Sequence, residues 1–114
     1  FNLWLREAMV GQPVMWADID AQVQAVVARP ADFGMADAST PACDRTKMAT
    51  VTQGRITDGF ALFCNALPIP AVNGIRDGAD IDTWFFADGN HPTVGGHRLI
   101  SQAVLRQMAA AGWI

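Results

Sequence analysis

Asp88 and His91 stand three residues apart in Asp88-Gly89-Asn90-His91-Pro92, a string with the composition of a tight turn. A catalytic imidazole needs a carboxylate on one ring nitrogen, to fix the tautomer and stabilise the imidazolium, and a nucleophile on the other. An Asp and a His in one turn can meet without help from distant parts of a fold. Gly89 is expected to supply unusual backbone angles, and Pro92 keeps His91 extended, so that its ring stays out of any following helix. The plain alternative is a His that caps a helix or bonds a loop, since Asp-x-x-His is common by chance.

Cys43 and Cys64 are the two cysteines. They read as a disulfide, and hence an oxidising compartment, or as two buried thiols. With no Cys-x-x-Cys, zinc is poorly supported. His97 lies one to two helical turns beyond His91, and a structural hydrogen bond near a helix start is the favoured role over metal binding. Asp77, Asp80 and Asp82 lack the order of a calcium loop and read as a solvated acidic turn. No metal or cofactor is therefore expected. Phe60, Leu62, Phe63, Leu67, Ile69 and Val72 are apolar in a loop-like region, and read equally as a wall or lid for an acyl chain or as a cluster beneath a loop.

The elements that must position these groups follow from periodicity. Phe1, Leu5, Ala8 and Met9 share one side of a short helix over 2–10, stopped by Gly11 and Pro13. Val14 to Ala17 is an apolar run read as a buried strand with Asp18 at its exposed end. Asp20 is placed as the cap of a helix from Ala21 to Ala28, closed by Pro30. Residues 31–83 form one long loop excursion with at most short elements. Trp84 to Ala87 is read as a strand, its carboxyl end meeting the Asp-His turn, where open α/β sheets place their sites. A helix from Thr93 or Val94 to Ala111 has Leu99, Ile100, Ala103, Val104 and Met108 on its apolar face, Arg98, Gln102 and Arg106 on its wet face, and Gly112 as its stop.

Composition sets outer bounds. The chain has 114 residues, 51% hydrophobic and 17% charged, the balance of a single globular domain. Lys plus Arg is 8 against 11 for Asp plus Glu, a net charge of −3. The basic residues are scattered, which argues against nucleic acid. The longest uncharged run, Gly59 to Ile75, is broken by Pro68, Pro70, Asn65 and Asn73 and does not suit a transmembrane helix. No signal peptide is recognised. Nothing before Phe1 leads into its helix, so the chain is expected to be part of a larger fold.

The string Trp84-Phe85-Phe86-Ala87-Asp88-Gly89-Asn90-His91-Pro92-Thr93-Val94-Gly95-Gly96-His97-Arg98-Leu99-Ile100 resembles the last block of the SGNH, or GDSL, hydrolase family, which reads aromatic–Phe–x–Asp–x–x–His–Pro–Thr–x–x–Gly–His and then a helix. Phe1-Asn2 with Leu5 is similar to the family's helix before its fourth strand, and Val14 to Asp18 to that strand. Arg29-Pro30-Ala31-Asp32-Phe33-Gly34-Met35, followed by Cys43, is similar to the Asn-Pro-x-x-Tyr-Gly-Phe … Cys segment of secreted bacterial lipases and acyltransferases. The resemblance implies an α/β fold, the C-terminal part of a three-layer α/β/α, flavodoxin-like sandwich spanning 1–114. Its parts are 1–30 (helix, strand, helix), 31–83 (the excursion) and 84–114 (turn and terminal helix). It implies a secreted or periplasmic bacterial lipase or esterase with His91 as general base and Asp88 as orienting carboxylate. The alternatives are a glycerophospholipid acyltransferase or phospholipase of the same family, and a non-catalytic SGNH-like binding module. The sequence departs from the family where the nucleophile should be. Ser39 and Ser101 are its only serines, neither in Gly-Asp-Ser, and the Gly-x-Asn-Asp block of the oxyanion hole is missing. The expected partner is an N-terminal chain of the same precursor supplying both, and the expected substrate is an ester or lipid.

Overall fold

A computed structural model describes residues 1–69 and 71–114. Pro70, one of the breakers of the uncharged run, lies outside the described residues. Among the described residues four α-helices occur in the order α1 (Asn2–Ala8), α2 (Ile19–Ala28), α3 (Arg45–Val51) and α4 (Val94–Ala110), with single 3₁₀ turns at Pro30–Phe33 and Ala61–Phe63.

Side-chain caps set three of these helices. The Asp18 carboxylate accepts from the Ala21 N–H at 3.0 Å, so α2 starts two residues earlier than the pattern suggests and Asp18, not Asp20, is its cap. Asp20 instead accepts from Gln24 one turn on. Asp44 accepts from the N–H groups of Thr46 and Lys47 to begin α3. Thr93 accepts from Gly96 to begin α4. Caps of this kind stabilise by about 1 kcal/mol each.

The main core lies where α2 and α4 meet the segment 83–87. Val26, Met35, Ala38 and Phe85 are buried there, with Val23, Phe33, Phe86, Leu99 and Ile100 packed around them. Leu99, Ile100 and the buried Ala103 belong to the face of α4 that periodicity selects, while Arg98, Gln102 and Arg106 are exposed. A second small core surrounds Met48, whose sulfur lies against Gly74 beside Cys64.

Neither expected strand is part of a sheet. Among the described residues β pairing is confined to isolated bridges, Asp37 with Trp84, Cys43 with Ile75, and Phe86 with Pro92. Val14 to Ala17 has no β partner, and Asp18 is a helix cap instead of a strand end. For 83–87 the reason is visible in its backbone bonds. Loop residues take them up: Ala36 donates to the Thr83 carbonyl, Phe85 to Asp37, Ala42 to Phe86, Cys43 to Ala87, and Thr93 to Phe85. A segment whose donors and acceptors are met this way is satisfied without a neighbouring strand. The molecule is elongated, 53 Å along its longest axis, and its radius of gyration of 17.1 Å exceeds the roughly 13 Å of a compact chain of this length. No helix among the described residues is long and apolar enough to cross a membrane.

Candidate active site

Thr93 is the hinge between the core and the Asp-His turn. Buried at the head of α4, its hydroxyl donates to the Trp84 carbonyl and accepts from Gly96, while its N–H donates to Phe85 at 2.9 Å. The helix can come this close only because its first turn has no side chains there. A Cβ at Gly95 would stand 2.1 Å from the Asp82 carbonyl oxygen, and one at Gly96 would stand 2.5 Å from that of Phe85. The segment before the turn and the helix after it are thereby pinned together. The loop Asp88–Pro92 is the span between them, closed by Ala87 donating to the His91 carbonyl at 2.8 Å.

Within that span the Asp88 carboxylate is buried and accepts hydrogen bonds on both oxygens. Oδ1 receives the N–H groups of Asn90 at 3.0 Å and His91 at 2.8 Å. Oδ2 receives the N–H of Ala61 at 2.8 Å. The imidazole Nδ1 of His91 lies 2.9 Å from Oδ1 and 2.8 Å from Oδ2. Burial alone would push the Asp88 carboxyl up, but the backbone N–H groups of Asn90, Ala61 and His91, with the imidazole, outweigh it and hold the group at about 2. A carboxylate so placed assigns the proton to Nδ1 and leaves Nε2 as the acceptor. Among the described residues no hydrogen bond reaches Nε2, and the His91 side chain is 47% exposed.

Among the described residues neither serine hydroxyl is hydrogen-bonded to His91. Ser39 donates to Asp37, and Ser101 to the Arg98 carbonyl on the wet side of α4. Gly89 does not have the role expected of it: its φ is not positive and open space surrounds its Cβ position. The Asx-type bonding of Asp88 shapes the turn instead. Gly59, with φ +75° and Cys43 and Arg45 packed against it, does need the freedom of a glycine.

Cys43 and Cys64 are bonded to each other, with Cα atoms 5.9 Å apart. The expected acyl-chain wall does not form as a unit. Phe60 presents its ring edge-on to His91, with centroids 5.5 Å apart, Leu62 is exposed, and Phe63 borders a cavity beside α3. An apolar cavity of about 420 Å³ is lined by Ala61, Cys64, Ile75, Ile81 and Val94 together with His97. His97 is exposed and makes no side-chain hydrogen bond among the described residues, contrary to the structural bond expected of it. The acidic residues are each separately engaged: Asp77 with Lys47, Asp82 with Arg98, and Asp80 with the Asp82 N–H and the Thr83 hydroxyl. Among the described residues no group of three or more His, Cys, Asp or Glu is arranged to hold a metal ion.

The roles of Ala61 and Phe60 at the dyad are not visible in the sequence motif, since they come from about thirty residues upstream. The Asp58-Gly59 pair, a turn signal directly before an aromatic residue, is the local hint that the chain reverses there. No family model matches the chain, and no curated protein or solved structure is found to be similar to it.

Proposed function

We propose that this chain carries the base and the orienting carboxylate of a serine-type carboxylic ester hydrolase, His91 and Asp88. The Ser and the oxyanion-hole donors belong, in this reading, to an N-terminal chain of the same precursor. The observation that carries the proposal is a buried, hydrogen-bonded carboxylate on Nδ1 of an imidazole whose Nε2 is unengaged among the described residues. The resemblance of residues 84–100 to the SGNH block supports the same assignment.

In the proposed reaction Nε2 takes the proton of the partner's Ser as its oxygen attacks the ester carbonyl. The imidazolium, stabilised by Asp88, then returns that proton to the departing alcohol, leaving an acyl-enzyme. Water activated by the same Nε2 completes hydrolysis. A lipid alcohol in its place gives acyl transfer, the alternative course. The partner would also complete a three-layer α/β/α sandwich, and the exposed apolar residues of α1 support a further surface packing there. The disulfide supports a secreted or periplasmic location.

Recombination with a Gly-Asp-Ser chain tests the reading. The assembled protein is expected to hydrolyse a short-chain aryl ester, and His91→Ala to lower turnover by several powers of ten. His97→Ala, at an exposed ring with no side-chain hydrogen bond among the described residues, should leave turnover largely intact. Hydrolysis that survives His91→Ala would overturn the assignment of the base.

A further inference from the structure

The dyad is held from outside its own turn, by a segment that the disulfide fastens. Asp58 accepts from the Phe60 N–H at 3.0 Å, and Gly59, at positive φ, turns the chain toward residue 88. Ala61 then points its N–H at Asp88 Oδ2, and the Phe60 ring edge meets the imidazole. The 3₁₀ turn closes as the Cys64 N–H donates to the Ala61 carbonyl at 3.0 Å. Cys64 is bonded to Cys43, whose own N–H donates to the carbonyl of Ala87, the residue before Asp88. These contacts form a closed ring: Asp88 to Ala87, across to Cys43, through the disulfide to Cys64, back along the chain to Ala61, and home to Asp88.

We propose that Phe60–Cys64, fastened by the Cys43–Cys64 disulfide, is a positioning clamp for the dyad, in which the Ala61 N–H fixes the Asp88 carboxylate and the Phe60 ring fixes the His91 imidazole. Its meaning for catalysis rests on the hydrolase reading, but the clamp itself is a matter of geometry and is tested without turnover. Ala61 is the first residue of its turn, where proline is tolerated, and Phe60 at φ −59°, ψ 127° suits a residue before proline. Ala61→Pro therefore removes this donor and puts a ring carbon where its hydrogen pointed, too near for Oδ2 to stay, so the carboxylate must move away from residue 61. Ala61→Gly keeps the N–H.

The readouts are the titration of the Asp88 carboxyl carbon and the imidazole nitrogen shifts of His91, both by NMR on the full chain. Ala61→Pro is expected to raise the Asp88 midpoint by about one unit, the weight of one hydrogen bond to a charged group, and to mix the imidazole tautomers. Ala61→Gly should change neither. Reduction with excess dithiothreitol, which closes to its cyclic disulfide as two electrons and two protons pass to the cysteine sulfurs, should move both readouts in the direction of Ala61→Pro. If reduction unfolds the chain, Ala61→Pro with the disulfide intact decides. An Asp88 midpoint and tautomer unmoved by Ala61→Pro, or moved equally by Ala61→Gly, would overturn the clamp. A recombined protein with the clamp signature and no ester hydrolysis would defeat the hydrolase reading and leave the clamp standing.

Discussion

The first seventeen residues and the span from Asp82 to Gly96 are organised in opposite ways. In the first, no residue of α1 is buried, and Phe1, Leu3, Trp4 and Val10 are each more than two-thirds exposed. Arg6 of α1 pairs with Asp18 and lies over the Trp16 ring. In the second, Phe85, Asp88, Thr93, Gly95 and Gly96 are all buried, and polar groups meet polar groups at hydrogen-bond distance. Apolar area left in water contributes nothing to folding, whereas a buried carboxylate left unpaired would be costly. The site region is thus satisfied by groups of this chain, some of them from outside the span, and the amino-terminal arm is where further stabilisation by another surface remains to be gained.

Gly95→Ala should give the largest effect on stability. Its Cβ would meet backbone, which cannot swing aside, and a loss of about 3 kcal/mol is expected, read from chemical denaturation. Gly89→Ala, with open space around it, should stay within about 0.5 kcal/mol. Equal effects at the two glycines would dissolve the account of how α4 is pinned to residues 82–85.

The Asp88 carboxyl gives the next effect and a direction in pH. Its folded value, about 2, lies below the unfolded range near 4. Its contribution, on the order of 2 kcal/mol, is full above about pH 4 and is lost as pH falls through 2. Asp88→Asn should lower stability at neutral pH by a similar amount and flatten the acid limb of the stability profile over that window. An unchanged limb would mean that the carboxylate is not held as described.

Trp4→Ser should give the smallest effect, within about 0.5 kcal/mol for this chain by itself, because the ring is 69% exposed. A larger loss would show that the arm is packed after all and erase the contrast with the site.

What the sequence discloses follows the same division. The Asp88–His91 pair was legible because its partners are three residues apart. α4 was legible because one apolar stripe runs from Leu99 to Met108 and Gly112 ends it. The environment of Trp84 to Ala87 was not, since its backbone bonds come from 36–43 and from Thr93, and an apolar run does not reveal whether loops or strands will satisfy it. Asp18 and Asp20 look alike on paper, and only the path of the chain decides which one caps α2. Phe60 reads equally as a wall for an acyl chain or as part of a cluster beneath a loop, and an aromatic residue in a loop carries no sign that a His in a distant turn will meet its ring.

The carboxylate of Asp88 also has a torsional consequence. An aspartate's last bond rotates in a broad well and its two oxygens exchange readily. Here each oxygen holds different partners, Asn90 and His91 backbone on one and Ala61 on the other. Partway through a half-turn the bonds on both sides are broken at once, so the flip that exchanges the two equivalent oxygens is slowed and the plane of the carboxylate is held. The entropy of aiming the imidazole is therefore spent once, when the chain folds, and any group that reaches Nε2 meets a ring already aimed.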